Sequence, residues 1–395
     1  MSPTAWLQAC LATAERETRQ MLANRQLIFF CFFLPLVWLL IVWGLLGQGI
    51  MQGVPVGLVD QDNSAQSREA IRAISACRAV KFERYGEPDS AFGDLERGKI
   101  YALLLAPAGY GRHELEGKGG SLVLWLDENR YAVAGVLSNE IASALQALKA
   151  EKMRLEIMRL GLSPAQTSRF VSVVHDEFYV LGNLQTSFLA FLGSTLMPGL
   201  IMIGAMFTFV TAFLRELWHH SFSAWITVAD CCTSAAITGK LLPYYFAYTV
   251  IFLFYLALFA GEGGNMASGS LLLWLGLGLA CMAAFAGAAI IVAAIAPTWR
   301  MALVISAGYA APALPFSGFS MPLDSMSFGA AAFGRCLPLT WYIQGQSQAW
   351  TLGANLADMG TSFGGLVCII IVTWVAGVPL MRWSANRHAR KEAVA

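Results

Sequence analysis

Six predominantly apolar stretches of the chain contain no Asp, Glu, Lys or Arg: residues 26–59, 178–214, 241–261, 263–299, 301–323 and 359–381. A hydrocarbon layer about 30 Å thick is crossed by roughly 20 apolar residues of helix. Trimming polar and Gly-rich ends predicts spans near 27–47, 188–211, 241–260, 271–295, 301–319 and 361–381. Lipid offers the backbone no hydrogen-bond partner, so these segments must be helical. The first run has no small-residue cleavage site with a polar sequel and reads as a retained span.

Between the first two spans the pattern changes. Val54–Val59 is a short β-rich run, and Asp60-Gln61-Asp62-Asn63-Ser64 reads as a turn and N-cap for a helix over 65–76. A strand over 79–85 follows, then a short helix capped at Asp89 and closed by Gly98. Strands are predicted over 100–106 and 121–127, and a long helix over 131–160 with Gly161 past its end. Ser163-Pro164 restarts a short helix. The insert is therefore a small α/β domain on a long helical stalk.

Composition sharpens the division. Only 13% of the 395 residues are charged and 57% are hydrophobic, against about 25% charged in soluble domains. Residues 54–180 hold 32 of the 51 charges, 15 basic and 17 acidic. This distribution excludes a soluble enzyme, a disordered tail protein and a basic nucleic-acid binder. It fits a polytopic α-helical membrane protein of six transmembrane helices, with an α/β domain inserted between the first and second.

Charge also orients it. Outside the insert, Arg16, Arg19 and Arg25 precede the first span, Arg215 and Lys240 lie between the second and third, and Arg300 lies between the fourth and fifth. Arg382, Arg387, Arg390 and Lys391 follow the sixth, and Arg335 alone lies on the other face. The positive-inside rule makes the richer face cytoplasmic. Both termini are then cytoplasmic and the insert extracytoplasmic. The expected organisation is an amphipathic elbow helix at 1–25, the first span at 26–53, the extracytoplasmic domain at 54–180, five further spans at 181–383 and a basic cytoplasmic tail at 384–395. In the elbow helix Trp6, Leu7, Cys10, Leu11, Ala14, Thr18, Met21 and Leu22 form the expected apolar face.

The candidate chemistry is mostly negative. Gly93-Asp94-Leu95-Glu96-Arg97-Gly98-Lys99-Ile100 has the spacing of a phosphate-binding loop, yet Ile100 stands where Ser or Thr must hold Mg²⁺, and a strand follows instead of preceding. Adjacent Cys231-Cys232 lacks metal-ligand spacing. Cys77 and Cys336 both face outward; a disulfide between them is open, with two unrelated thiols the commoner case. The predicted spans carry no Asp, Glu, Lys, Arg or His, whereas ion-coupled transporters and intramembrane hydrolases need such groups within the membrane. Energy for uphill movement must then come from another subunit, and the chain is not expected to be an enzyme or to hold a cofactor or metal.

In the loop 212–240, Leu214, Leu217, Trp218, Phe222, Trp225 and Ile226 recur at helical spacing beside Arg215 and Glu216. Such a helix can transmit force from a partner or lie on lipid, and periodicity does not choose. Phe29, Phe30, Phe32, Phe33 and Met197 offer greasy surface for which lining, lipid-facing and packing roles compete. Met202, Met206, Tyr309 and Phe316 are the candidate substrate-path residues.

These segments together resemble the transmembrane subunit of a type-2 ABC exporter, an ABC-2 permease of the YhhJ-like subgroup with a large extracytoplasmic domain after the first span. The resemblance is carried by Val54–Ser64 with Ser67-Arg68, by Gly98–Leu105, and by Arg215-Glu216 after the second span. Gly239-Lys240-Leu241-Leu242-Pro243, Phe316–Pro322 and Leu337-Pro338-Leu339-Thr340 complete it. It implies two permease copies or paralogues paired as a dimer in an inner membrane, driven by cytoplasmic ABC ATPase subunits that bind ATP and Mg²⁺. It further implies a periplasmic adaptor and an outer-membrane channel, coupling through Arg215, Glu216 and Trp218, and efflux of a hydrophobic or amphiphilic compound. One departure is visible: the family's Arg-Glu opens a charged run ending in Gly-Thr, and here Leu217-Trp218-His219-His220-Ser221-Phe222 follows. The alternative function is a non-transporting membrane scaffold or receptor that displays its outer domain.

Overall fold

A computed structural model describes residues 2–46, 52–116, 120–127, 130–159, 189–218, 221–262, 270–319, 321–351 and 355–392. The expected helix restart at Ser163-Pro164, the return of the stalk and His219-His220 lie outside the described residues. The rest falls into two compact units, one built from residues 2–46 and 189–392, the other from 52–159.

The chain begins with α1 (Pro3–Ala23), started by Pro3 in its first turn and by the Ser2 hydroxyl, which accepts from the Ala5 N–H at 3.2 Å. Asn24 interrupts it in extended conformation and recaps the next helix, its Oδ1 accepting from the N–H groups of Gln26 and Leu27. That helix, α2 (Arg25–Leu46), is long and apolar enough to cross a membrane and widens to a π-turn over Phe29–Phe33.

The second unit holds four strands, β1 (Val54–Asp60), β2 (Val80–Arg84), β3 (Ala102–Ala106) and β4 (Val123–Leu126), in the order β2-β1-β3-β4. β1 pairs in parallel with β2 and β3, and β4 closes the edge antiparallel to β3. Parallel neighbours need crossovers, and α3 (Ala65–Ser75) and α4 (Pro88–Glu96) supply them. The short α5 (Tyr110–Leu115), which the sequence did not announce, follows Gly109 in the left-handed region at φ 88°. The long α6 (Tyr131–Arg159) lays Leu137 and Ile141 on Val56, Leu58, Ile71 and Ile74. Gly57 is required here because a Cβ would stand 2.6 Å from the Ile100 side chain.

The turn after β1 is closed by carboxylates. Asp60 Oδ1 accepts from the N–H of Asp62 and Asn63, and Ser64 caps α3. Asp62 accepts from Gly109 N at 2.9 Å and Gly111 N at 2.8 Å, joining this turn to α5. The Ser64 hydroxyl, then these amides, hold the Asp62 carboxyl below its ordinary pKa. A depressed carboxyl stabilises the fold above its unfolded-state pKa and loses that contribution as pH falls through the folded one. D62N should therefore lower the thermal stability of the full chain at pH 7, and the difference from wild type should close below about pH 4; a difference independent of pH would contradict this role.

The segment resembling a phosphate loop is a helix end. Gly93 lies inside α4, where Asp89 sits in the first turn but Glu87 is the cap, and Gly98 turns the chain at φ 69°. Lys99 pairs with Asp94 at 3.2 Å and Ile100 is fully buried.

The first unit resumes with a π-turn over Leu189–Gly193 and α7 (Ser194–Trp218), then the short α8 (Phe222–Val228) and α9 (Thr233–Glu262). Asp230 and Cys231, both at positive φ, reverse the chain between α8 and α9. α9 begins about two turns before the predicted span, and α7 runs two turns past it, because neither extension contains a proline. α10 (Leu271–Ile295) matches its predicted span.

The predicted fifth span, 301–319, differs. It is α11 (Trp299–Ala310), only 12 residues, continued by 3-10 turns at Ala311–Ala313 and Pro315–Ser317. Pro312 and Pro315 each remove an amide donor, which ends the regular ladder. Five helices among the described residues are long and apolar enough to cross a membrane: Arg25–Leu46, Phe191–Trp218, Thr233–Ala260, Leu271–Ile295 and Gly360–Arg387.

The segment expected as the last outer loop is helical too: α12 (Phe328–Arg335) and α13 (Pro338–Gln346). Leu337, Leu339 and Tyr342 of this segment are fully buried, and Trp274 Nε1 donates to the Tyr342 hydroxyl at 2.9 Å. The last helix, α14 (Gly360–Glu392), continues over the expected basic tail and buries Ser384. Small residues let α10 and α14 approach closely, since a Cβ at Gly377 would stand 2.9 Å from Ile290, and one at Gly287 would overlap Thr373.

Candidate functional site

The buried face of α1 shares Cys10, Ala14 and Met21 with the expected apolar face and is rotated away from its leucines. Ala9, Cys10, Thr13, Ala14, Glu17 and Met21 are buried, while Leu7, Leu11 and Leu22 are more than half exposed. The buried stripe is made of small side chains because α1 packs hard against α9. A Cβ on Gly239 would overlap the Cys10 carbonyl and stand 2.8 Å from Thr13. One charged residue, Glu17, falls in that stripe and is 0% exposed.

Glu17 meets the ends of two further helices. Its Oε1 accepts from Arg215 of α7 and, at 2.6 Å, from the Tyr244 hydroxyl of α9. Its Oε2 accepts from Lys240 Nζ at 2.5 Å. The neighbouring carboxylate, Glu216, takes a two-point contact from Arg16 at 2.9 and 3.2 Å and a second contact from Lys240 at 2.9 Å. Ser221, just ahead of α8, donates to Glu216 Oε2 at 2.5 Å. Lys240 is 0% exposed and Glu216 1%. The ammonium also stands 5.5 Å over the Trp225 ring.

This junction is assembled by spacing. Arg16-Glu17 and Arg215-Glu216 are adjacent pairs whose members reach different partners, and Lys240 and Tyr244 share one face of α9 at i,i+4. Buried charges persist only when paired and hydrogen-bonded, and here each buried carboxylate has three or more donors. The arrangement welds α1, α7 and α9 through their polar ends. α7 and α9 therefore run past the charged ends of the segments from which they were predicted, and these extensions carry Arg215, Glu216 and Lys240.

The sequence singled out Arg215, Glu216 and Trp218 for contact with a partner. The structure brings Arg215 and Glu216 together and satisfies both from within the chain; Trp218 is half-buried against the core. The apolar face left to a partner or to lipid turns inward: Leu214, Leu217 and Trp225 are buried in the chain's own core, with Phe222 and Ile226 packed against it. Glu17, Arg16, Lys240, Tyr244 and Ser221 were missed. The available signal was an acid in line with Cys10, Thr13 and Met21 on one helix face.

The candidate path residues all fall in the hydrophobic core of this unit. Met202 and Met206 are fully buried in the packing of α7. Tyr309 lies edge-on to Phe285 at 6.1 Å, and Phe316 lies edge-on to Phe333 at 5.3 Å. Two openings lie elsewhere in this unit. A polar pocket of about 570 Å³ beside the junction is lined by Arg16, Gln20, Arg25, Arg215, Glu216 and Ser221, among others. An apolar cavity of about 630 Å³ lies between α2 and α7, with Tyr248 and Trp299 at its edge. Among the described residues no group of three His, Cys, Asp or Glu could hold a metal ion.

Long apolar helices packed through small residues, with their charged ends welded together, define a polytopic helical membrane protein. The model of the ABC-2 family transporter protein matches residues 25–378, and the chain belongs to that family. It is thus a permease component of an ABC transporter, a transmembrane part that is not itself catalytic and whose family generally works with a cytoplasmic ATPase. No curated protein matches the chain.

Proposed function

We propose that this chain is the permease subunit of an exporter that moves a hydrophobic or amphiphilic compound outward, driven by a separate ATPase that binds ATP and Mg²⁺. The observation that carries the reading is the buried junction of Glu17, Arg215, Glu216 and Lys240. A push on α1 or on α8 cannot be absorbed locally, because α1 is tied to α7 and α9 by buried ion pairs and α8 by the Ser221–Glu216 hydrogen bond and the Lys240–Trp225 contact. The junction passes the push into the membrane helices. Coupling through Glu216 is then indirect: its oxygens hold the joint, and the surface offered to the ATPase is the exposed face of α1 with the exposed side of α8. This also accounts for function without the family's Gly-Thr turn.

In this reading both termini are cytoplasmic and residues 54–180 form the extracytoplasmic domain of the subgroup that carries one after its first span. Ten of the eleven basic residues outside that domain lie toward one face. The chain crosses six times, since α11 and its 3-10 continuation together rise about 30 Å. Two copies or paralogues pair side by side in an inner membrane, and the outer domain engages a periplasmic adaptor and an outer-membrane channel.

Affinity purification from native membranes should bring down an ABC ATPase, whereas a scaffold or receptor would come without one. In a cysteine-free background, K81C should label from outside intact cells and N386C only after permeabilisation. The reverse pattern would overturn the orientation.

A further inference from the structure

The polar pocket and the apolar cavity lie end to end along the same two helices. On α2, Arg25 lines the pocket and Leu27, Phe30 and Leu34 line the cavity. On α7, Arg215 lines the pocket, and Thr211, one turn earlier, lines the cavity. Along α2 the lining passes from cation to hydrocarbon within about 3 Å, and along α7 from Arg215 past Thr211 and Thr208 to Phe207 within about 12 Å.

The polar end has surplus positive charge. Arg16, Arg25, Arg215 and Lys240 stand against Glu17 and Glu216, and both carboxylates are filled by donors. Arg25 is exposed and pairs with no carboxylate among the described residues. The apolar end has little polar capacity left. Thr208 and Tyr248 hydrogen-bond each other at 2.9 Å, and the Thr211 hydroxyl donates to the Phe207 carbonyl at 2.7 Å. A ligand matching both ends carries an anion at its head and hydrocarbon behind it.

We propose that this seam binds an anionic phospholipid, with its phosphate against Arg25 and Arg16 and an acyl chain in the cavity beside Phe30 and Leu34. The arginines supply planar donor pairs suited to phosphate oxygens. The site is independent of what the transporter exports and of the direction in which it does so.

The test is native mass spectrometry of the full chain after exposure to equal amounts of phosphatidylglycerol and phosphatidylcholine. Wild type should retain phosphatidylglycerol about fivefold over phosphatidylcholine, as about 1 kcal/mol from Arg25 at a lipid surface gives, Arg16 being already neutralised by Glu216. R25Q, which leaves the buried junction untouched, should bring the two lipids to equal retention. L34W, which fills the cavity, should lower retention of both. Equal retention by wild type would overturn the proposal without recourse to any variant. Displacement of phosphatidylglycerol by millimolar inorganic phosphate would overturn it too, by making the pocket an anion site with no tail. So would loss of a bound ATPase in R25Q with lipid retention unchanged, which would assign the pocket to a protein contact.

Discussion

E17A should lower the unfolding free energy of the purified protein by about 3–5 kcal/mol, the range for breaking a buried ion pair from one side. Glu17 is fully buried and serves Arg215, Lys240 and Tyr244 together. Without it, among the described residues Arg215 keeps Gln20 and Tyr244, and Lys240 keeps Glu216 and the Trp225 ring. The loss is due to stranded cations more than to the value of the pair itself, so removing charge from both sides should be milder. The double variant E17M/K240M should recover a large part of the loss, a coupling visible in a double-mutant cycle of thermal or denaturant unfolding. A change under about 1 kcal/mol in E17A would match a solvent-exposed pair and would contradict the burial.

The second large effect is on coupling. E216Q keeps the shape of the side chain but removes the charge that Arg16 and Lys240 share, and it places an amide donor where two cations already point. The joint between α1 and the ends of α7 and α9 should loosen while the membrane helices remain packed. Substrate-stimulated ATP hydrolysis by the complex should fall about tenfold, the equivalent of about 1.4 kcal/mol of lost coupling, with insertion in the membrane unchanged. Wild-type hydrolysis in E216Q would mean that force enters elsewhere.

Much of this was legible from hydrophobic runs. α10 was placed to the residue, and β1, α3 and α6 within one or two, because Ser64 caps and strand-length apolar runs are local signals. α5 was missed because its trigger is the left-handed Gly109, a single residue with no periodic pattern behind it. The fifth segment was read as one regular helix because hydropathy does not register the amide donors that Pro312 and Pro315 lack. Leu337–Thr340 read as loop because it is short, yet its leucines are buried against neighbours distant in sequence.

The junction was half legible. Arg215 and Glu216 stood out as a charged pair after an apolar run, but the same charge ended the predicted span and hid that the helix continues through them. Lys240 was lost in the same way at the start of α9. Glu17 was overlooked because the large residues of α1 drew the apolar face toward Leu7, Leu11 and Leu22. Close helix packing selects small residues instead, and Gly239 against Cys10 marks the contact.

ATP hydrolysis by another subunit should be what moves the chain. This is tested most directly in liposomes containing the chain alone or together with its co-purifying ATPase, loaded with a fluorescent amphiphile. Transport should require both proteins and ATP, and should stop in the complex carrying E216Q. Movement of the amphiphile by the chain alone, driven by a proton gradient or by ATP, would contradict the account.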